Sequence, residues 1–215
     1  MKLVIIGAGG HGIAVSDAAI KQGQYEVLGF IDDKHEVGDM VNKLPVLAST
    51  DDFHFLFKRH GAFFLFLAIG DNYWRREVLK KVAMFSFATI IHPSAVVGGG
   101  TKIGEGTFIA ANATIGAKST IGKHVIINTA ANADHENIIW DFSSLAPHAC
   151  TGGRVTIGDC TAIGLNAVIQ QQVVIGKHSI IGSCSYVNKD IGSNVVAYGT
   201  PCHVVRQRKI DEPYL

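Results

Sequence analysis

The sequence predicts a two-part molecule: a three-layered, Rossmann-like α/β unit over residues 1–86, then an all-β, prism-like parallel solenoid over 87–215. Two observations carry this. From Ile91 to Val187 an aliphatic residue recurs at every sixth position. Ahead of it, apolar runs alternate with helical stretches and open on a glycine-rich turn.

The first part reads element by element. Leu3-Val4-Ile5-Ile6 is a buried strand, Gly7 to Gly12 (GAGGHG) a tight turn, and Ile13 to Gln22 a helix. Glu26 to Ile31 is a second strand that ends in Asp32-Asp33. A short strand at Leu44-Pro45-Val46, a helix from Thr50 to Arg59 and a strand from Ala62 to Ile69 follow. Gly70-Asp71-Asn72 then leads into a helix running to about Phe85. Strands alternating with helices imply a small parallel sheet.

In the second part the sixth-position register runs Ile91, Val97, Ile103, Ile109 and onward to Val187. Fifteen of its seventeen members are Ile, Leu or Val. A helix would repeat every 3.6 residues and a simple strand every two, so neither explains it. Four residues after each aliphatic stands Ser, Thr, Ala or Val, with Asn137 the exception. Three hexads make one triangular coil, so residues eighteen apart stack. The aliphatics point inward, the small residues fill the corners, and the glycine that often follows the aliphatic is expected to supply backbone freedom at the turn. Past Val187 the register breaks, and Gly199-Thr200-Pro201 leads to a polar tail.

Composition excludes several roles. Of 215 residues, 47% are hydrophobic and 17% charged, with a net charge of +1. That is ample for a core and too apolar for a disordered chain. No basic run supports nucleic-acid or membrane-surface binding, and no apolar span or leader segment is evident, so a cytoplasmic protein is expected. Cys150, Cys160, Cys184 and Cys202 lack metal-ligand spacing and are expected to be free, mostly buried thiols. No cluster of His, Asp and Glu has metal spacing, so no metal is expected.

Two places invite chemistry. GAGGHG matches G-x-G-x-x-G between a strand and a helix, with Asp32 about twenty residues on, the arrangement that lays a phosphate on a helix N-terminus. The stretch before the solenoid is too short for a complete dinucleotide fold, so half a fold holding one nucleotide is the better reading and a dehydrogenase the weaker. His11 is either a solvated turn residue or a hydrogen-bond partner of phosphate or sugar. Asp32, Asp33 and Gly70 lie at carboxyl ends of strands, where open α/β sheets bind ligands. The second place is inside the solenoid. Ala133 replaces the aliphatic, Asn137 replaces the small residue, and Asp134-His135-Glu136 lies between them. Such breaks of a local rule gather at functional sites. Eighteen residues after His135 is Gly153, beside the other break at Thr151. A histidine base and a backbone oxyanion donor would then face each other on adjacent coils. His92, His124 and His178 sit in ordinary turns and are expected to be solvated.

The sustained hexads resemble the hexapeptide acyltransferase superfamily, and that resemblance implies a left-handed coil and a homotrimer. The combination of GAGGHG, FIDD, AIGDN, IIHPSA, NTAANADHEN, Gly152-Gly153 and YGTPCHVVR resembles the NeuD/PglD-type sugar O- or N-acetyltransferases across nearly the whole chain. The resemblance implies acetyl-CoA as co-substrate and a nucleotide-sugar partner. His135 matches the catalytic base and Glu136 its carboxylate. Gly9, Gly10, His11, Asp32, Asp33 and Gly70 match the nucleotide-sugar site. Gly153 matches the thioester position, and Leu165, Ser183 and Pro201, on one eighteen-residue ladder, match the pantetheine groove. Ser144 stands where relatives carry a second histidine, nine residues after the first, so an acetyl-CoA contact there is altered or absent.

The activity expected is acetyl transfer to the 4-amino group of a UDP-linked amino-dideoxy sugar. Sialic acid O-acetylation is the nearer alternative, and a non-catalytic nucleotide-binding scaffold the more distant one. The prism itself is testable. Ile115→Asp would bury an unpaired carboxylate in the stack and should cost several kcal/mol (roughly 2–7) in urea unfolding. Wild-type stability in that variant would contradict a stacked interior.

Overall fold

The computed structural model describes residues 1–214. In its first part β1 (Lys2–Ile6), β2 (Glu26–Ile31), β4 (Leu44–Ala48) and β5 (Phe64–Leu67) pair in parallel, in the order β4-β2-β1-β5. A two-residue strand, β3 (Met40–Val41), closes the edge antiparallel to β4. Helix α1 (Gly10–Gln22) follows β1, α2 (Phe55–His60) precedes β5, and α3 (Asn72–Val82) follows it. Leu3, Ile5, Val15, Phe30 and Phe66 fill one side of the sheet, and Val4, Ile6, Leu56, Leu65 and Leu67 the other. The continuous apolar runs of β1 and β5 are what a strand buried on both faces requires.

From Ile90 the chain makes two-residue strands, one per hexad, and each pairs in parallel with the strand eighteen residues away. Three flat faces result. The docked face carries outward residues Phe108, Ile126, Ser144, Ala162 and Ile180, and the first part packs on it. The second face carries Val96, Thr114, Asn132, Cys150, Val168 and Tyr186. The third carries Thr120, Ile138, Thr156 and Val174. Inside, Ile109, Ile127, Leu145, Ile163 and Ile181 stack in one column with no more than 1% exposure. A fully buried aliphatic of this kind contributes roughly 1.5–3 kcal/mol.

Two local causes shape the turns. The left-handed residue is the third after the aliphatic: every sixth residue from Asn112 to Cys184 has φ between 52° and 65°. The glycine that follows the aliphatic has a different reason from the one expected. A Cβ on Gly116 would run into the backbone nitrogen of His135 in the next coil, so this position is glycine because coils approach closely there. Small polar residues at the corners also bridge coils. Thr107 Oγ1 donates to the Gly122 carbonyl and accepts from the Val125 N–H, and Ser143 and Thr161 repeat the pattern.

The hexad register does break after Val187, yet stacking continues. The last coil is sixteen residues long, with Ile180 opposite Val196 and Ile181 opposite Ala197. Strand Val195–Gly199 then turns back antiparallel into Cys202–Gln207. Pro201 sits in that hairpin turn, two residues beyond the rung above Ser183, so it does not share the ladder of Leu165 and Ser183 as expected. Of the four free cysteines, Cys160 and Cys202 are buried, Cys150 is half-buried and Cys184 is exposed.

Arg75 in α3 joins the two parts. It is fully buried, and its five N–H groups meet five acceptors. These are the carbonyls of Ile69 (2.7 Å), Gly70 (3.1 Å), His124 (2.9 Å) and Phe142 (2.8 Å), and Asn72 Oδ1 (2.6 Å). Asn72 in turn donates to Ser144 Oγ and the Thr161 carbonyl. This contact overturns the expected solvation of His124 and His178, which are 2% and 8% exposed because α3 covers their edge of the prism. The His124 ring stacks on Phe142 and meets Phe87 edge-on.

Burial, reinforced by Arg75, pushes the His124 and His11 imidazoles down to about 4. Besides Arg75, His124 faces Glu105 and Lys123. Both histidines are neutral in the folded protein, whereas in the unfolded chain they protonate near 6.5. Their contribution is therefore fully present above pH 6.5 and is lost as pH falls toward 4. The unfolding midpoint should drop across that window beyond what the carboxylates explain, and His124→Phe should flatten the drop. An unchanged pH profile in that variant would show that His124 titrates as a solvated group.

Candidate active site

The break in the hexad code at residues 133–137 has a physical reason. Asn137 is fully buried. Its amide donates to the Asp134 carbonyl (2.6 Å), Thr151 Oγ1 (2.9 Å) and the Gly152 carbonyl (3.2 Å), and its Oδ1 accepts from the Val155 N–H (2.8 Å). Thr151, the other departure, is buried beside it and accepts from the Asp134 N–H. Ala133 lies between Ile115 and Thr151 in the interior column, a small rung below this polar knot. The network fixes the corner from which His135 projects.

His135 is half-exposed, with Nδ1 3.0 Å from Glu136 Oε2. The same oxygen accepts from Arg154 Nε at 3.1 Å. These two hydrogen bonds hold the Glu136 carboxyl below its ordinary range. Arg154 stands one coil above Glu136, so eighteen-residue charge complementarity was its signal in the sequence. The imidazole lies over Gly153: a Cβ there would be 2.5 Å from Nε2 and Cε1. Among the described residues, no group accepts from the Gly153 N–H. The Nε2 side of the ring thus rests beside a glycine whose amide has no acceptor in the chain, with the other ring nitrogen held by a carboxylate.

A cavity of about 500 Å³ lies elsewhere, between the first part and the docked face. It brings together His11, Gly70, Ser144, Leu165 and Ser183 from the sequence expectations, with Tyr214 from the tail. The wall is mostly apolar, through Ile126, Ala162 and Ile180. His11 packs edge-on against Phe108, and its Nε2 is buried with no partner, so it is neither the solvated turn residue nor bonded to anything in the chain. Ser144 stands on this face, bonded to Asn72, and not on the corner of His135.

The glycine-rich turn separates into two kinds of glycine. Gly7 has φ +105° and Gly12 lies against the Gly7 carbonyl, so both serve the fold. Gly9 and Gly10 have open space where a Cβ would be, at an N-terminus with no side-chain cap. The carboxylates of Asp32 and Asp33 are used inside the chain. Asp32 accepts from the N–H groups of Ala8, Lys34 and His35, and from the His35 ring. Burial raises its pKa, but these bonds outweigh that and hold it below the usual range. Asp33 accepts from Thr50 through both the amide and the hydroxyl. Asn72 falls at the strand end that Gly70-Asp71-Asn72 marks in the sequence, whereas Arg75 and Tyr214 carry no signal there; an arginine in a charged helix reads as solvated. No group of side chains suited to a metal ion occurs among the described residues.

Gly153→Ala should displace the imidazole while the coil stays folded. The nuclear magnetic resonance shifts of the His135 ring would move with little change in unfolding midpoint. An unmoved ring would mean that it does not rest on residue 153.

Comparison with known proteins agrees with this architecture. The model of the PglD N-terminal domain matches residues 2–82, and that of the bacterial transferase hexapeptide (six repeats) matches residues 88–117. A variant of perosamine N-acetyltransferase from Caulobacter crescentus, solved with CoA and GDP-perosamine, superposes with a TM-score of 0.90 at 32% identity. The match covers 96% of this chain and 98% of that one. The acetyltransferase domain of PglB from Neisseria gonorrhoeae, solved with acetyl coenzyme A, gives 0.87 at 32% identity over 95% and 98%. Among curated relatives, Escherichia coli galactoside O-acetyltransferase is 51% identical over 53 residues, which is 25% of this chain and 26% of the relative's length. Full-length similarity above 30% identity, with both halves matched, places the chain in the PglD-type sugar acetyltransferase family of left-handed hexapeptide β-helices.

Proposed function

We propose that the protein transfers an acetyl group from acetyl-CoA to the amino group of a nucleotide-linked amino-dideoxy sugar, with His135 as general base. The observation that carries the reading is the seating of the His135 ring over Gly153, backed by Glu136. Glu136 fixes the tautomer in which Nε2 carries the lone pair and steadies the imidazolium once formed. The neutral amine attacks the thioester carbonyl as His135 takes its proton. The Gly153 N–H stabilises the developing oxyanion, and the departing thiolate receives the proton as CoA leaves.

The nucleotide end of the acceptor would be held by the first part. The open amides at Gly9 and Gly10 suit a phosphate, with Asp32 and Asp33 shaping the loop beside it rather than contacting it with free oxygens. Leu165 and Ser183 suit the pantetheine arm. The 4-amino position and a UDP carrier are the expected form. The GDP-sugar in the Caulobacter relative makes the guanine nucleotide the direct comparison.

A homotrimer is the assembly that suits this reading. His135 is on the corner between the second and third faces, and the cavity is on the docked face. In the proposed reading a neighbouring subunit completes the site. Val96, Val168 and Tyr186 on the second face, and Ile138 and Val174 on the third, are exposed apolar residues that a neighbouring subunit would cover. Among the described residues, no helix is long and apolar enough to cross a membrane.

The test is thiol release from acetyl-CoA with UDP- and GDP-linked 4-amino sugars, hydroxyl acceptors such as sialic acid serving as the contrast. Turnover is expected with an amino sugar. His135→Ala should lose about 10²- to 10⁴-fold in kcat with folding intact. Near-normal turnover in that variant would remove His135 from the mechanism, and activity confined to hydroxyl acceptors would establish O-acetylation.

A further inference from the structure

The tail beyond the last hairpin is a folded strap. Arg206 pairs with Glu212 through both guanidinium nitrogens. Arg208 donates to the carbonyls of His178 and Glu212, and its guanidinium lies 5.8 Å from the centre of the Tyr214 ring. The strap delivers the Tyr214 hydroxyl to the cavity wall. There it accepts from the Asn72 N–H at 2.9 Å and lies 3.5 Å from the Gly70 carbonyl. Gly70 belongs to the first part, Asn72 begins α3, and Ser144, bonded to Asn72, belongs to the solenoid. Tyr214 thus touches the seam between the two parts where both line the cavity.

The chemistry of this contact is specific. Asn72 is the first residue of α3, and its amide belongs to the helix turn whose N–H groups have no partner within the helix. Without Tyr214 that amide would be an unpaired donor beside a largely apolar cavity. Burial pushes the phenol up to about 12, so it stays protonated and can both donate and accept. The nearby unpartnered Nε2 of His11 leaves one polar group in the cavity still to be satisfied by a ligand.

We infer that Tyr214 is a positioning residue for the acceptor: it fixes the Gly70–Asn72 loop against the docked face and closes the adjoining end of the cavity. The inference rests on the acetyl-transfer reading for its ligand, but the strap contact can be tested without turnover. Tyr214→Phe keeps the ring on Arg208 and removes the hydroxyl, and Tyr214→Ala removes the wall. In the full-length protein, hydrogen exchange at residues 70–74 should quicken about tenfold in Tyr214→Phe, with exchange in the solenoid unchanged. With the amino sugar that the wild type acetylates, KM for that sugar should rise about 5-fold in Tyr214→Phe and further in Tyr214→Ala. In Tyr214→Phe, which keeps the wall, the calorimetric Kd for CoA should stay as in wild type. Unchanged exchange overturns the inference. So does a rise in acceptor KM matched by an equal loss of CoA affinity and of melting temperature, which is the signature of a merely structural residue. If the wild type acetylates no acceptor while exchange responds as described, the acetyl-transfer reading fails and the strap contact stands.

Discussion

Closure of the chain on itself every eighteen residues is the constraint from which the other placements follow. A rung of two residues is too short to hold its own side chains in place. Each is fixed only because an identical rung pairs above and below it. That repetition makes the position of any side chain a matter of arithmetic: His135 must stand over Gly153, and Glu136 beside Arg154. A site built this way is rigid without a large supporting shell, because backbone pairing between coils does the supporting.

The junction between the two parts works by different physics. Here a single cation, Arg75, is withdrawn from water and satisfied entirely by carbonyl and amide oxygens. Each acceptor is set by its own secondary structure, so the guanidinium fits only when α3 lies in one orientation across the corner at His124 and Phe142. Such a fork is suited to reading geometry because its five donors are fixed in one plane. The cavity inherits that orientation, since Gly70 borders it and bonds to Arg75.

The parts legible in the sequence were those governed by periodicity. The hexads, the corner at 133–137 and the stacking of His135 on Gly153 all came from counting. Outside the count, β2 runs from Glu26 to Ile31 as its apolar run before Asp32-Asp33 implies, while the helix expected from Thr50 to Arg59 begins only at Phe55. What escaped depends on contacts between distant segments. His124 and His178 occupy ordinary turn positions and are buried because α3 lands on them, with Phe87 added at His124 and Arg208 of the tail at His178. Pro201 falls off the eighteen-residue ladder because the last coil is two residues short. Ile191-Gly192, arriving four residues after Val187 instead of six, was the available sign. The turn glycines were noticed for the wrong reason: the left-handed backbone falls on residues such as Glu136 and His178, and glycine is kept where coils nearly touch.

The shortened final coil bears on how such a molecule ends. A stack of parallel rungs presents the same unpaired backbone groups at its growing tip however many rungs it has, and so invites another chain to continue it. Dropping two residues tapers the tip, and the reversal at Gly199 to Cys202 lays an antiparallel strand across the last rung of the docked face. A further copy arriving end-on along that face would meet a strand of the opposite direction and a charged surface at Arg206 instead of a matching template, so fibre growth from that tip is discouraged by the chain's own geometry.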